Sequence, residues 1–176
     1  MAAVITTIAG RYTATFNPAA AGAAATGVLE DPGWRLGITP SWLAVDKTDA
    51  YADAVIETIW RGFSSITIDW RFREWNVPAV RAVNPGSNYV TSGAGTFKPG
   101  VVGRLGSALG GALIMTATAA TPAAASPATA TFSTIHMRPG YSTEWVYGPV
   151  ERTTPVSMLV LPYDAGSGAA EYFSST

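Results

Sequence analysis

The sequence has no cysteine, a single histidine and only two lysines, and Asp, Glu, Lys and Arg together make up 13% of its 176 residues. Absent cysteine removes any disulfide framework and any thiolate metal site. The lone His136 lies between Ile135 and Met137 in a strand-like run, with no Gly-x-Ser-x-Gly elbow anywhere in the chain. It is therefore read as a structural residue and not as the base of a triad. Neither lysine completes a glycine-rich phosphate loop, and Gly103-Arg104-Leu105-Gly106 and Gly110-Gly111 read as punctuation at strand edges. No apolar run reaches the ~18 residues of a membrane-spanning helix. The longest, around Ala112–Met115 and Met158–Leu161, are strand-sized. Met1–Ile8 carries no basic residue ahead of a long apolar run, so no signal peptide is expected. A net charge of −1 and a pI of about 5.7 give the chain no overall attraction for nucleic acid.

Apolar residues make up 48% of the chain, far outweighing the charged ones. An isolated soluble domain normally carries about 25% charged residues. A surface this poor in charge, rich in Ala, Thr, Gly and Trp, fits a protein whose exterior meets other protein. The length suits a single domain over residues 1–176.

The clearest local signal is Ile66-Thr67-Ile68-Asp69-Trp70-Arg71-Phe72-Arg73, where every second residue is large and apolar. A period of two places one face in a core, so Ile66, Ile68, Trp70 and Phe72 are expected to be buried together. Further strands are predicted at Ala3–Phe16, Val28–Glu30, Trp34–Ile38, Trp42–Asp46, Ala112–Thr118, Ala128–Met137, Glu144–Tyr147, Val156–Tyr163 and Ala169–Phe173, with Asp31-Pro32-Gly33 as a turn. The Thr-Ala-Thr echo at Thr116–Thr118 and Thr129–Thr131 reads as two arms of one hairpin. One helix is predicted at 49–61, because Tyr51, Ala52, Val55, Ile56, Ile59 and Trp60 recur at helical spacing ahead of Gly62. Residues 76–111, broken by prolines and glycines, form a long irregular segment. The fold class is thus mostly β, an antiparallel sandwich or barrel with one flanking helix.

On that helix Asp49, Asp53 and Glu57 would share a face with Arg61 one turn on. The acids would make a solvated face or, in a tube, an acidic lumen wall that repels a phosphate backbone. The irregular segment holds Tyr89, Val90, Phe97, Val101 and Val102, too many apolar groups for a solvated linker, and these are candidate subunit-interface residues. Asp69, Arg71 and Arg73 read as a mixed-charge strand face pairing with a neighbouring strand or subunit. Six tryptophans leave open a sugar-binding sandwich as the alternative to an assembly protein. No metal, cofactor or catalytic residue is expected.

Several short stretches, in order along the whole chain, resemble phage virion proteins of the tail-tube kind. They are Gly10-Arg11-Tyr12-Thr13, Asp49-Ala50-Tyr51 leading to Trp60-Arg61-Gly62, Gly103-Arg104-Leu105, Thr116-Ala117-Thr118 with its Ala/Thr/Pro run, Arg138-Pro139-Gly140, Leu161-Pro162-Tyr163 and Tyr172-Phe173-Ser174-Ser175-Thr176. The resemblance implies a non-enzymatic β-sandwich or barrel whose copies close into rings, usually sixfold, that stack into a conduit for the genome. It implies a virion protein made in the host cytoplasm, with itself and other virion proteins as partners and DNA as passing cargo. A capsid decoration, head or neck protein is the neighbouring alternative.

Overall fold

The alternating run Ile66–Phe72 forms part of the wall of a closed antiparallel β-barrel. The computed structural model describes residues 11–18, 24–48, 54–74, 103, 105–118, 128–142, 153–164, 166 and 170–175. These form β1 (Tyr12–Pro18), β2 (Ala25–Thr48), β3 (Ala54–Phe72), a helical turn α1 (Gly106–Leu109), β4 (Gly111–Ala117), β5 (Thr129–Met137), β6 (Thr154–Val160) and the two-residue strands β7 (Tyr163–Asp164), β8 (Ala170–Glu171) and β9 (Ser174–Ser175). The main sheet runs β4-β1-β2-β3-β6-β5-β9, and β4 also pairs with β5, so the sheet closes on itself. Closure removes the free sheet edges that would otherwise template aggregation.

Closure between β5 and β6 rests on three register pairs, Ile135 with Val160, His136 with Leu159 and Met137 with Met158. Beyond them the Leu161 N–H donates to the Thr134 carbonyl at 2.9 Å. Farther down the same edge of β5, β9 pairs with Ala130 and Thr131. β7 and β8 form a separate two-stranded ribbon.

Alternation sets the core. Ala14 and Phe16 of β1, Leu113 and Met115 of β4, and Ala130 and Phe132 of β5 point inward with Ile66, Ile68, Trp70 and Phe72 of β3, all buried. The common face expected of Ile66, Ile68, Trp70 and Phe72 is therefore present. The Thr-Ala-Thr echo does mark paired strands, with Thr116 opposite Thr129 and Ile114 opposite Thr131. His136 is a packing residue of this wall. Its Nδ1 lies 2.8 Å from the Met137 carbonyl, so that nitrogen donates, and a Cβ at Gly106 would come within 3.0–3.2 Å of its ring, a tight contact from which the ring would have to shift. Close approach also explains Gly110 and Gly111. A methyl group on Gly110 would overlap the Ile135 carbonyl, and one on Gly111 would overlap the Asn17 carbonyl.

Two sequence expectations are overturned. The helix expected over 49–61 is not formed, because residues 54–61 belong to β3 and pair antiparallel with β2. The apolar spacing came from a strand with apolar residues on both faces, such as the consecutive Ile59 and Trp60, which mimics helical periodicity. The three strands expected between Val28 and Asp46 are one strand, β2. Asp31-Pro32-Gly33 is no chain reversal. It falls in a register irregularity between Leu29 and Trp34, where Gly33 adopts φ 92°. Of the strands expected at Ala3–Phe16 and Ala169–Phe173, the described residues hold Tyr12–Pro18 and the short β8 and β9. Residues 3–10 and the strand expected at Glu144–Tyr147 lie outside the described residues.

Replacing Ile68, fully buried, by Asp is expected to destabilise the fold by several kcal/mol, since it sets an unpaired charge in the core. Gly111→Ala is expected to cost at least ~1 kcal/mol, because the contact it violates is backbone and cannot rotate away. Thermal melting followed by circular dichroism reads both, and wild-type melting in Ile68→Asp would refute the face assignment.

Candidate assembly surface

β2 and β3 are longer than the barrel that holds them. β1 pairs with β2 only as far as Val28, and β6 pairs with β3 only from Ile66 to Phe72. Beyond Ile38 and Ile66 the two strands pair with each other alone, as far as Thr48 opposite Ala54. This two-stranded ribbon extends roughly 30 Å at about 3.4 Å per residue. Each strand presents an outer edge with no strand beside it among the described residues.

Two bulges shape the ribbon. The register skips one residue of β3 between Thr39/Pro40 and another between Ser41/Trp42, leaving Ser64 and Arg61 as the extra residues. Gly62 takes φ 92°, which suits glycine, and the Ser64 hydroxyl donates to the Thr39 carbonyl at 3.2 Å. An extra residue reverses the alternation. It brings Phe63 to the same side as Trp60, with ring centroids 5.2 Å apart. Trp60 in turn meets Trp42, its cross-strand partner, at 4.9 Å.

The base of the ribbon is pinned by the end of the chain. Phe63 meets Tyr172 edge-on at 5.7 Å, and the adjacent Phe173 stacks on the core residue Phe132 at 5.3 Å. Phe132 continues the row to Trp34, and Trp34 to Tyr12. An aromatic seam thus runs from the barrel interior onto the ribbon.

Both ribbon faces are apolar and exposed. Trp42 and Trp60 on one face are 56% and 47% exposed, and the paired Leu43 and Ile59 on the other are 45% and 52% exposed. Adjacent apolar pairs in sequence, Trp42-Leu43 and Ile59-Trp60, are the signal of a two-faced strand, and the helical reading obscured it.

A second feature lies on the outer wall of the barrel. Arg35, Asp69, Arg71, Arg138 and Tyr141 line an open groove of about 540 Å³, with Glu30 and the edge of Trp70. Arg35 stands opposite Asp69 in the β2–β3 register, and Arg71 pairs with Glu30 at 3.5 Å. Of the mixed-charge strand face expected at Asp69–Arg73, Arg71 thus pairs with a charge on a strand of its own chain. Among the described residues the indole Nε1 of the buried Trp70 has no hydrogen-bond partner.

The candidate interface residues Tyr89, Val90, Phe97, Val101 and Val102 lie outside the described residues, as do Asp49 and Asp53. Glu57 lies on β3, opposite Val45, and Arg61 is a bulged residue of the same strand, so the shared helix face proposed for these charges does not exist. Among the described residues no group of three or more His, Cys, Asp or Glu could hold a metal ion, and no helix is long and apolar enough to cross a membrane.

Replacing Tyr172 by Ala is expected to lower stability by about 1 kcal/mol, the scale of one aromatic pair, and to increase hydrogen exchange at the ribbon base around Phe63 more than in β4. Equal change in both would remove Tyr172 as the ribbon's anchor.

No family model, no curated protein and no solved structure matches the chain.

Proposed function

We propose that this protein is a non-enzymatic structural subunit that assembles with copies of itself, and that it serves as a virion component of the tail-tube kind. The observation that carries the self-assembly reading is the β2–β3 ribbon. A two-stranded hairpin is marginal in water by itself, and needs a third strand or a packed face to be stable. Among the described residues this ribbon has no third strand beyond Ile38 and Ile66, and only its base is packed, where Phe63 meets Tyr172. It also exposes Trp42, Leu43, Ile59, Trp60 and Phe63. Burying a large apolar side chain fully gives about 1.5–3 kcal/mol, so covering these half-exposed groups favours association by several kcal/mol before its entropic cost. Copies of the same chain supply both what is needed: strand edges to complete the ladder and apolar faces to cover the rings.

The resemblance to tail-tube proteins gives the assembly its form, rings that stack into a conduit, with other virion proteins as neighbours and DNA as cargo that does not bind specifically. The alternative of a sugar-binding surface draws on the exposed Trp42 and Trp60. Their planes cross at 71°, however, and so form no flat platform for a pyranose ring.

Negative-stain electron microscopy and sedimentation of the purified protein test the reading, with rings or tubes as the expected result and a monodisperse monomer at every concentration as the refuting one. A variant in which residues 40–64 are replaced by Asn-Gly, joining the paired Thr39 and Ser65 through a tight turn, is expected to melt cooperatively yet stay monomeric. Assembly of this variant at wild-type concentrations would place the contacts elsewhere.

A further inference from the structure

The two faces of the ribbon differ in kind. One carries the edge-to-face rings of Trp42, Trp60 and Phe63. The small, exposed pair Ala44 and Thr58 follows them on that face, two residues along each strand in an unbroken register. The other face carries the exposed pair Leu43 and Ile59. One face is therefore bulky and aromatic, the other lower and aliphatic.

Area sets how many neighbours such a ribbon needs. An aromatic side chain buries about 150–250 Å², so the exposed parts of Trp42, Trp60 and Phe63 amount to roughly 300 Å². A stable pair needs about 800 Å² from each partner. A ribbon gripped on one face alone falls well short, and a ribbon held between two neighbours comes closer.

Shape sets what those neighbours are. Packed β layers lie about 10 Å apart with their strands within about 30° of each other. Two layers stay in contact along their length only if their twists match, and a second copy of this ribbon has the same length, twist and bulges. Rings stacked on rings would force the layers beyond that spacing, while two aliphatic faces would leave the layer under-filled. A bulky face on a lower one fills it evenly.

We infer that the aromatic face of the ribbon in one copy packs on the aliphatic face of the ribbon in the next. This rests on the self-assembly reading and specifies its contact. The two surfaces differ, so the interface is heterologous, and its repetition closes a ring or extends a filament instead of stopping at a dimer.

The chain has no cysteine, so one introduced thiol reports on one face. Ala44→Cys marks the aromatic face, and Ile59→Cys and Leu43→Cys, used in parallel, mark the aliphatic face. Each full-length variant is assembled alone and in an equimolar mixture with a variant of the other face. Every combination is also co-assembled with an equal amount of wild type, which supplies particles where a variant alone forms none. Particles seen by electron microscopy are treated with a thiol-to-thiol crosslinker spanning about 10 Å, the spacing of packed layers. Covalent dimers on a denaturing gel are expected from the mixtures of the two faces and from no variant alone. Dimers from a single variant would mean that like faces meet. Particles without dimers in any mixture would mean that another surface or another partner covers the faces. Either result overturns the inference while leaving self-assembly in place, and a wild type that never assembles overturns both.

Discussion

The pairing of β3 with β2 outruns its pairing with β6, and the rest of the molecule follows from that mismatch. From Ile66 to Phe72, β3 has a neighbour on each side and a core beneath it. From Ala54 to Ser65 it has one neighbouring strand among the described residues. The same two strands therefore obey two different rules. In the barrel, every second side chain is buried and the next is polar. On the ribbon, neither face is covered by a core among the described residues, and apolar residues occupy both. The bulges at Arg61 and Ser64 lie at the junction, where a change of alternation and a sharper twist separate one regime from the other.

The junction is also where the end of the chain acts. Tyr172 and Phe173 are adjacent, yet one packs on the ribbon and the other on the core. A strand pair of this length has little to hold it at a fixed angle, because its backbone hydrogen bonds constrain the strands relative to each other and not relative to the barrel. The seam from Phe63 through Tyr172-Phe173 to Phe132 provides that constraint. On the proposed self-assembly reading a fixed angle matters, since an interface formed by a preorganised element loses less conformational freedom on association.

What could be read from the sequence divides along the same boundary. Ile66–Phe72 was legible because a strand over a core has a strict period of two, and β4 and β5 were legible as β-rich runs bounded by turn residues. The β2 arm of the ribbon reads as a strand at Trp42–Asp46, but the β3 arm reads as a helix because two-faced apolar character destroys the period of two. Ile59-Trp60 next to Val55-Ile56 then matches an i, i+3, i+4 template as well as it matches a strand. Asp31-Pro32-Gly33 has the composition of a turn, but a bulge uses the same positive-φ glycine, and only the pairing partner distinguishes them. The groove was invisible for another reason. Arg35, Arg71 and Arg138 are far apart in sequence, and strand register alone brings them to one wall.

The two kinds of surface answer different needs of a chain with so little charge. An exposed apolar ribbon with free strand edges invites indiscriminate pairing, and strand pairing by itself tolerates a slip of two residues with little change in the faces presented. Specificity has to come from groups that are penalised when misplaced. Charges serve this purpose, because a slipped register sets like charges together or leaves a guanidinium without its partner. Only 23 residues are Lys, Arg, Asp or Glu, so their placement carries unusual weight. The sequence gathers four acids into residues 46–57, while the fold gathers three arginines on the barrel wall. On the self-assembly reading proposed above, apolar contact would make association favourable in many registers, and sparse charge is what would select among them.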